Sequence, residues 1–433
     1  MYRFITSIKK CDFQLLYSSS PINQKHHILS QLGPLQQVFK KFIETEQNTI
    51  PLENAELIEL FDSCMDITKD VEELTEILQK IAPGNKRVGF HQINLIVDNL
   101  RTRLRKYLQY KGYTLDLIPH DHAFGSGGDF IKTIHATTSA SIVVAPLMTM
   151  CKTGTINVTS LHGSDQAMTE IGYNQISIKP YLLKDLLVKY NFAFVSLGDM
   201  GLPYSDVLKK ARKKLWEKNL EEINSRYRPE DNNWQKVVRN LNIPQVIDIF
   251  KIVAPNAQIL NPVHHSTGVC HLKMIPYIIG VYLHLNSSGI ICHCYDGIDE
   301  VSNASVTLLG DNPNNLIVKI DSENITIAEF LPEDIGLERV SIEEIKEKKL
   351  VSEEINIFWQ ILAGEKEYFK SKRDFIVANA ALVLVAGNKV SNLDQDIISQ
   401  LREGVKIAEN LIDSGKSYRN FSQLLLELQN QYA

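Results

Sequence analysis

The chain is poor in cysteine, in long apolar runs and in surplus charge, and each shortage disfavours a class of function. Six cysteines (Cys11, Cys64, Cys151, Cys270, Cys292, Cys294) stand at irregular spacings in 433 residues, with no C-x-x-C pair among them. That usage speaks against a disulfide framework and fits reduced thiols in a cytoplasmic setting. No apolar run is long enough to span a bilayer. Met1–Ser20 lacks the unbroken apolar core of a signal peptide, so no membrane partner is expected. The formal net charge of −5 gives no global field favouring nucleic acid or an acidic surface, so any anion binding has to be local. Internal repeats and low-complexity tracts are also missing.

What is present is enough chain for two domains sharing a cleft, with an apolar fraction of 44% that suits a folded core. Residues 1–34 are mixed and read as an N-terminal extension broken at Ser18–Pro21. From 35 to 118 the pattern is helical: Leu35, Val38, Phe39 and Phe42 recur at helical spacing, as do Leu57, Ile58, Leu60 and Phe61. A basic run of Arg101, Arg103, Arg105 and Lys106 reads as a solvated helix face. Beyond Pro119 short apolar segments alternate with helical ones: Phe192–Leu197, Ile278–Leu285, Gly289–Cys294 and Leu316–Ile320 read as strands. A charged, helix-like insert near 205–245 interrupts them and is expected to pack on the N-terminal helices. Further helices are expected near 352–363, 371–387 and 393–414. The fold class is therefore α/β: a small N-terminal helical domain (35–118) and a large α/β domain (119–433) with a central mixed sheet.

The densest chemistry lies in residues 125–172. Gly125-Ser126-Gly127-Gly128-Asp129 is a glycine loop, followed by Lys132-Thr133, His135 and Thr137-Thr138. Lys152-Thr153-Gly154-Thr155 comes after an apolar run, and Gly163-Ser164-Asp165 opens an amphipathic stretch ending at Gly172. Glycines let backbone N–H groups converge on an anion, and a helix start adds free donors and the positive end of a dipole. A tight turn is the commoner reason for a glycine loop. Here the following Asp129, the spaced Lys152 and the second helix start together favour a phosphorylated ligand. Asp299-Glu300 are adjacent carboxylates after a strand and a glycine. They suit Mg²⁺, which prefers oxygen ligands, although a solvated acidic turn is the plainer reading of such a pair. Cys292-His293-Cys294, His264-His265 and His271 invite a zinc reading. On a strand Cys292 and Cys294 would share one face with His293 opposite, so buried strand cysteines are the better account.

These motifs, in order and at near-constant spacing, resemble the anthranilate phosphoribosyltransferase family, in the class shared with pyrimidine nucleoside phosphorylases. The family's G-T-G-G-D is Gly125–Asp129, its N-x-S-T is His135–Thr138, its K-H-G-N is Lys152–Thr155 and its G-S-A-D is Gly163–Gln166. Asp296–Ser302 matches D-G-L-D-E-x-S, preceded by Asn261-Pro262. Pro332–Leu337, Leu362–Glu365, Asn379–Leu382 and Ala408–Gly415 continue the likeness.

The resemblance implies a Mg²⁺-dependent transfer of phosphoribose from phosphoribosyl pyrophosphate to a small aromatic amine or related nitrogen acceptor. It also implies a homodimer. Donor binding would fall to Gly125, Ser126, Gly127, Gly128, Asp129, Thr133, His135, Thr137, Thr138, Lys152 and Ser164. Lys152, Asp299 and Glu300 would be catalytic, and Thr137, Asp299 and Glu300 would hold the metal. Asp129 would position the loop or reach the metal through water. Thr155 and Arg212 would meet the acceptor. The acceptor side departs from the family: Thr153 and Thr155 replace its His and Asn, and H-P-A-M-K becomes Leu202–Asp206, with the acceptor-carboxylate arginine falling on Arg212. A nucleoside phosphorylase and a non-catalytic ligand-binding homologue are the alternatives.

Overall fold

The computed structural model describes residues 4–66, 68–85, 87–113, 115, 117–154, 162–173, 182–196, 206–226, 248–305 and 314–432. The strands are, in chain order, β1 (Ile5–Lys9), β2 (His122–Gly125), β3 (Met150–Gly154), β4 (Phe192–Ser196), β5 (His264–Gly268), β6 (Ser288–Cys294), β7 (Ala304–Ser305), β8 (Asn315–Ile320), β9 (Asn324–Phe330) and β10 (Val340–Ser341). Six of them form a central mixed sheet in the order β1-β9-β8-β6-β5-β2. The β2, β5 and β6 strands run parallel, with Gly125 opposite Gly268 and Gly268 opposite Cys292. The remaining neighbours pair antiparallel. The parallel pair β3 and β4 continues beyond β2 through an Asp121–Met150 bridge. The two-residue strands β7 and β10 form a separate pair.

Every residue from Gly289 to Cys294 is buried, so both faces of β6 are covered, as a parallel core strand requires. Helix Lys370–Ala386 packs on β5 and β6 and on helix Ala136–Val144. It is buried almost all round, which explains its weak amphipathic signal.

Two sequence expectations are corrected. Ile278–Leu285 is no strand: it belongs to helix Ile275–His284, with Pro276 in its first turn. A short run that is apolar on all sides carries no periodicity to separate strand from helix, whereas proline is well placed at a helix start. Residues 5–9, within the stretch read as an N-terminal extension, belong to the central sheet: β1 pairs along β9 from Ile5–Ala328 to Lys9–Asn324 and forms that edge.

The N-terminal helices Gln36–Gln47, Asn54–Ser63, Val71–Lys80 and Phe90–Tyr110 pack together, and the last of them lies on helices Phe250–Asn256 and Ile275–His284. Helix Asp206–Arg226 packs on Val71–Lys80, where Lys214 pairs with Glu72. The basic run on Phe90–Tyr110 divides. Arg103 pairs with Asp62 at 3.0 Å near the surface, while Arg105 donates to the Ile259 carbonyl at 2.9 Å and Arg101 to Asn261. The face read as solvated thus partly ties this helix to the α/β domain. Among the described residues no helix is long and apolar enough to cross a membrane.

Candidate active site

The glycine loop begins where β2 ends. Gly127 and Gly128 take φ of +64° and +81°, a region that penalises side chains. Space is a second constraint. A Cβ on Gly125 would lie 2.7 Å from Asp299 Oδ2, and one on Gly128 would lie 1.7 Å from Lys251 Nζ. The Gly127 N–H donates to Asp299 Oδ2 at 2.7 Å, and the Asp299 N–H donates to Asp129 Oδ1 at 2.8 Å. Loop and carboxylate segment therefore brace each other across 170 residues of sequence. The Gly127 N–H, expected to face phosphate, is held by Asp299.

Carboxylate oxygens of Asp129, Asp299 and Glu300 lie within 4.8 Å of one another. Glu300 Oε1 accepts from the Thr137 hydroxyl at 3.3 Å, while Glu300 Oε2 is buried with no hydrogen-bond partner. Burial, then the Asp299 charge, pushes Asp129 up to about 8. The same two causes, in the same order, hold Glu300 well above the usual carboxylate range. Three crowded carboxyl groups and an orphaned buried oxygen fit a hard divalent cation such as Mg²⁺. Thr137, expected among the metal ligands, bonds to one of these carboxylates. Asp129, expected to position the loop, does so and also joins the cluster.

Cations line the same cleft. Lys152 on β3 is buried, its ammonium donates to the Thr153 carbonyl and lies 5.1 Å from the Phe124 ring, and burial draws its pKa down to about 8. Lys251 sits under Gly128. Lys132 stacks 4.8 Å over Trp216 of helix Asp206–Arg226, which brings that helix to the loop. His135 precedes helix Ala136–Val144, and burial lowers it to about 4, so the ring is neutral at physiological pH. Ser164 opens helix Ser164–Ile171. A Cβ on Gly154 would approach its Cβ to 2.7 Å, so the end of β3 abuts that helix start.

Arg212, Phe250, Ala254 and Pro255 line the same cleft. Arg212 is 6% exposed, and its Nε donates to Asp248 Oδ2 at 3.0 Å. The Thr153 hydroxyl lies 2.6 Å from His122 Nε2, within a buried pair of stacked rings, His122 and His265. Thr155 and Leu202–Ser205 fall outside the described residues.

One cleft thus gathers Gly125–Asp129, Thr133, His135, Thr137, Thr138, Lys152, Ser164, Arg212, Asp299 and Glu300. Sequence reasoning missed Lys251, Asp248 and Gly268. Lys251 lies in an apolar helix with no spacing signal. Gly268 ends β5 where a Cβ would meet the Asp299 carbonyl oxygen at 1.5 Å. Cys292 and Cys294 are buried, and the only described group of three or more potential metal-ligating side chains is the carboxylate cluster.

Comparison with known proteins agrees with this architecture. Residues 223–418 match the α/β domain of a glycosyl transferase family. Anthranilate phosphoribosyltransferase of Petrotoga mobilis is 26% identical over 310 residues, covering 70% of this chain and 73% of that protein. The Pyrococcus furiosus protein of the same name is 24% identical over 360 residues, covering 78% and 95%. Among solved structures, anthranilate phosphoribosyltransferase from Thermus thermophilus superposes with a TM-score of 0.58 at 17% identity, covering 90% of this chain and 99% of that one. The Saccharomyces cerevisiae enzyme in complex with PRPP and Mg gives 0.54 at 16%, covering 87% and 99%. These superpositions establish a shared fold.

Proposed function

We propose that this chain, a distant homologue of the anthranilate phosphoribosyltransferases of glycosyl transferase family 3, moves a phosphoribosyl group from phosphoribosyl pyrophosphate to the nitrogen of a small aromatic or related acceptor, with Mg²⁺ as cofactor. The observation that carries this reading is the meeting of the glycine loop, three lysines and three carboxylates in one cleft. Displacing pyrophosphate builds positive charge at the ribose carbon and negative charge on the leaving oxygens. Lys132, Lys152 and Lys251 bind that leaving charge, and the hydroxyls of Thr138 and Ser164 donate to it. Asp129, Asp299 and Glu300 would hold the cation, with Thr137 orienting Glu300. Bound there, Mg²⁺ would supply positive charge against the leaving pyrophosphate. Arg212 meets the acceptor in the same cleft, and closure of the cleft would limit hydrolysis of the donor.

Lone cysteines throughout the described chain support a cytoplasmic setting, and a homodimer through the helical domain is carried from the resemblance. A nucleoside phosphorylase is disfavoured by the likeness of Pro332–Leu337 and Leu362–Glu365 to the transferase branch. A non-catalytic homologue is disfavoured by the intact donor wall. The test is calorimetry with phosphoribosyl pyrophosphate in the presence and absence of Mg²⁺, followed by pyrophosphate release over an acceptor panel. Metal-dependent donor binding with acceptor-dependent release is expected. No donor binding with Mg²⁺ present overturns the reading.

A further inference from the structure

We infer that Asp248 makes this site selective for an uncharged aromatic amine and turns away acceptors that carry a carboxylate. The inference rests on the reading of the cleft given above and concerns only which acceptor it takes.

Arg212 is the one residue in the described cleft that the family pattern would assign to an acceptor carboxylate. It is already paired: its Nε donates to Asp248 Oδ2 at 3.0 Å, with both side chains about 95% buried. The other carboxylate oxygen, Asp248 Oδ1, accepts the Phe250 N–H at 2.9 Å, and the guanidinium lies 5.4 Å from the Phe250 ring. The residue that anchors Asp248 thus also packs on its partner, so the ion pair is held as one rigid, neutral unit. A second carboxylate approaching this guanidinium would share it with Asp248 in a desolvated wall, where like charges repel strongly. The three described lysines of the cleft, Lys132, Lys152 and Lys251, are committed to the leaving pyrophosphate in the reading above and offer no substitute. The Thr153 hydroxyl is engaged by His122, and burial keeps His122 and His265 neutral. Ala254 and Pro255 line the cleft beside this pair and carry no charge that could attract a carboxylate.

The experiment compares 2-aminobenzamide with anthranilate, two acceptors of nearly equal shape and different charge. Each is titrated calorimetrically into the full-length protein holding phosphoribosyl pyrophosphate and Mg²⁺, and kcat/KM is read from pyrophosphate release. The amide should be favoured by about a hundredfold, equivalent to about 2.8 kcal/mol, and Asp248→Asn should narrow that gap at least about tenfold. Equal or better binding of anthranilate by the wild type overturns the inference, as does binding of neither; this comparison decides even where Asp248→Asn does not fold. Preferential binding of the amide without transfer upholds the selectivity and overturns the proposed reaction. Absence of donor binding strikes the proposed reaction alone, and the acceptor titrations are then read on the protein with Mg²⁺.

Discussion

The two walls of the cleft solve opposite electrostatic problems. On the donor wall three carboxylates crowd within 4.8 Å and one buried oxygen has no partner, so the cluster holds protons that a bound cation would replace. On the acceptor wall Arg212 and Asp248 cancel each other at 3.0 Å, so it is electrically finished without a ligand. A wall whose charged groups lack fixed partners binds through charge; a wall whose charges are already paired selects by shape and by what it repels. The donor wall is also the more constrained sterically, since Gly125, Gly128 and Gly268 all face atoms that a Cβ would overlap or crowd.

The contrast is broken most severely by Asp299→Asn with Glu300→Gln. Shape is kept and charge is lost, so Mg²⁺-dependent donor binding should fall and activity should drop by about a hundredfold or more, with the thermal transition unchanged or raised. Full Mg²⁺-dependent turnover by this variant would show that the carboxylates do not hold the metal. Gly268→Ala tests the steric side. A methyl group 1.5 Å from the Asp299 carbonyl must displace the carboxylate segment, destabilising by about 3 kcal/mol. Denaturant midpoints should register it, together with loss of donor binding.

On the acceptor wall Arg212→Ala leaves Asp248 buried and without its cation, a change worth about 3–5 kcal/mol, while Arg212→Lys keeps the charge but loses the planar Nε–H that Asp248 accepts and so disturbs the pair. The lysine variant should raise the acceptor KM and leave donor affinity measured by calorimetry unchanged. Unaltered acceptor kinetics would place Arg212 outside the acceptor site.

The smallest effect is a pH dependence set behind the donor loop. Buried Glu354, 3.9 Å from His135 Nε2, is raised from 4.5 to about 7, chiefly by burial. Its folded pKa lies above its unfolded one, so the folded state binds more protons between those values. Its contribution to stability is therefore complete below about 4.5 and is lost as pH rises towards 7. Glu354→Gln still accepts the Lys348 N–H that Glu354 Oε1 takes and should flatten that part of the stability profile. Parallel profiles in urea for the two proteins would refute the assignment.

Much of this molecule was legible in the sequence. Local signals sufficed where chemistry and conformation share one stretch of chain. The loop Gly125–Asp129 needs glycines at φ of +64° and +81°, and the strands Phe192–Ser196 and Asn315–Ile320 needed only an apolar run. Helix Ile275–His284 was misread because a fully buried helix has no polar face to mark its period. The edge strand Ile5–Lys9 was missed because its pairing with Asn324–Ala328 is a partnership between opposite ends of the chain.

The sequence by itself determined which groups are available: a glycine loop, a lysine on a strand, paired carboxylates and an arginine in a charged helix. Only the tertiary structure decided how they are spent. It brought Asp129 to Asp299 and Lys251 under Gly128, and it gave Asp248 to Arg212 before any ligand could claim it. Residue identity sets the charge a group can carry. Whether that charge is offered to a ligand depends on the neighbour that folding places within about 3 Å of it, where burial and low dielectric make the pairing decisive.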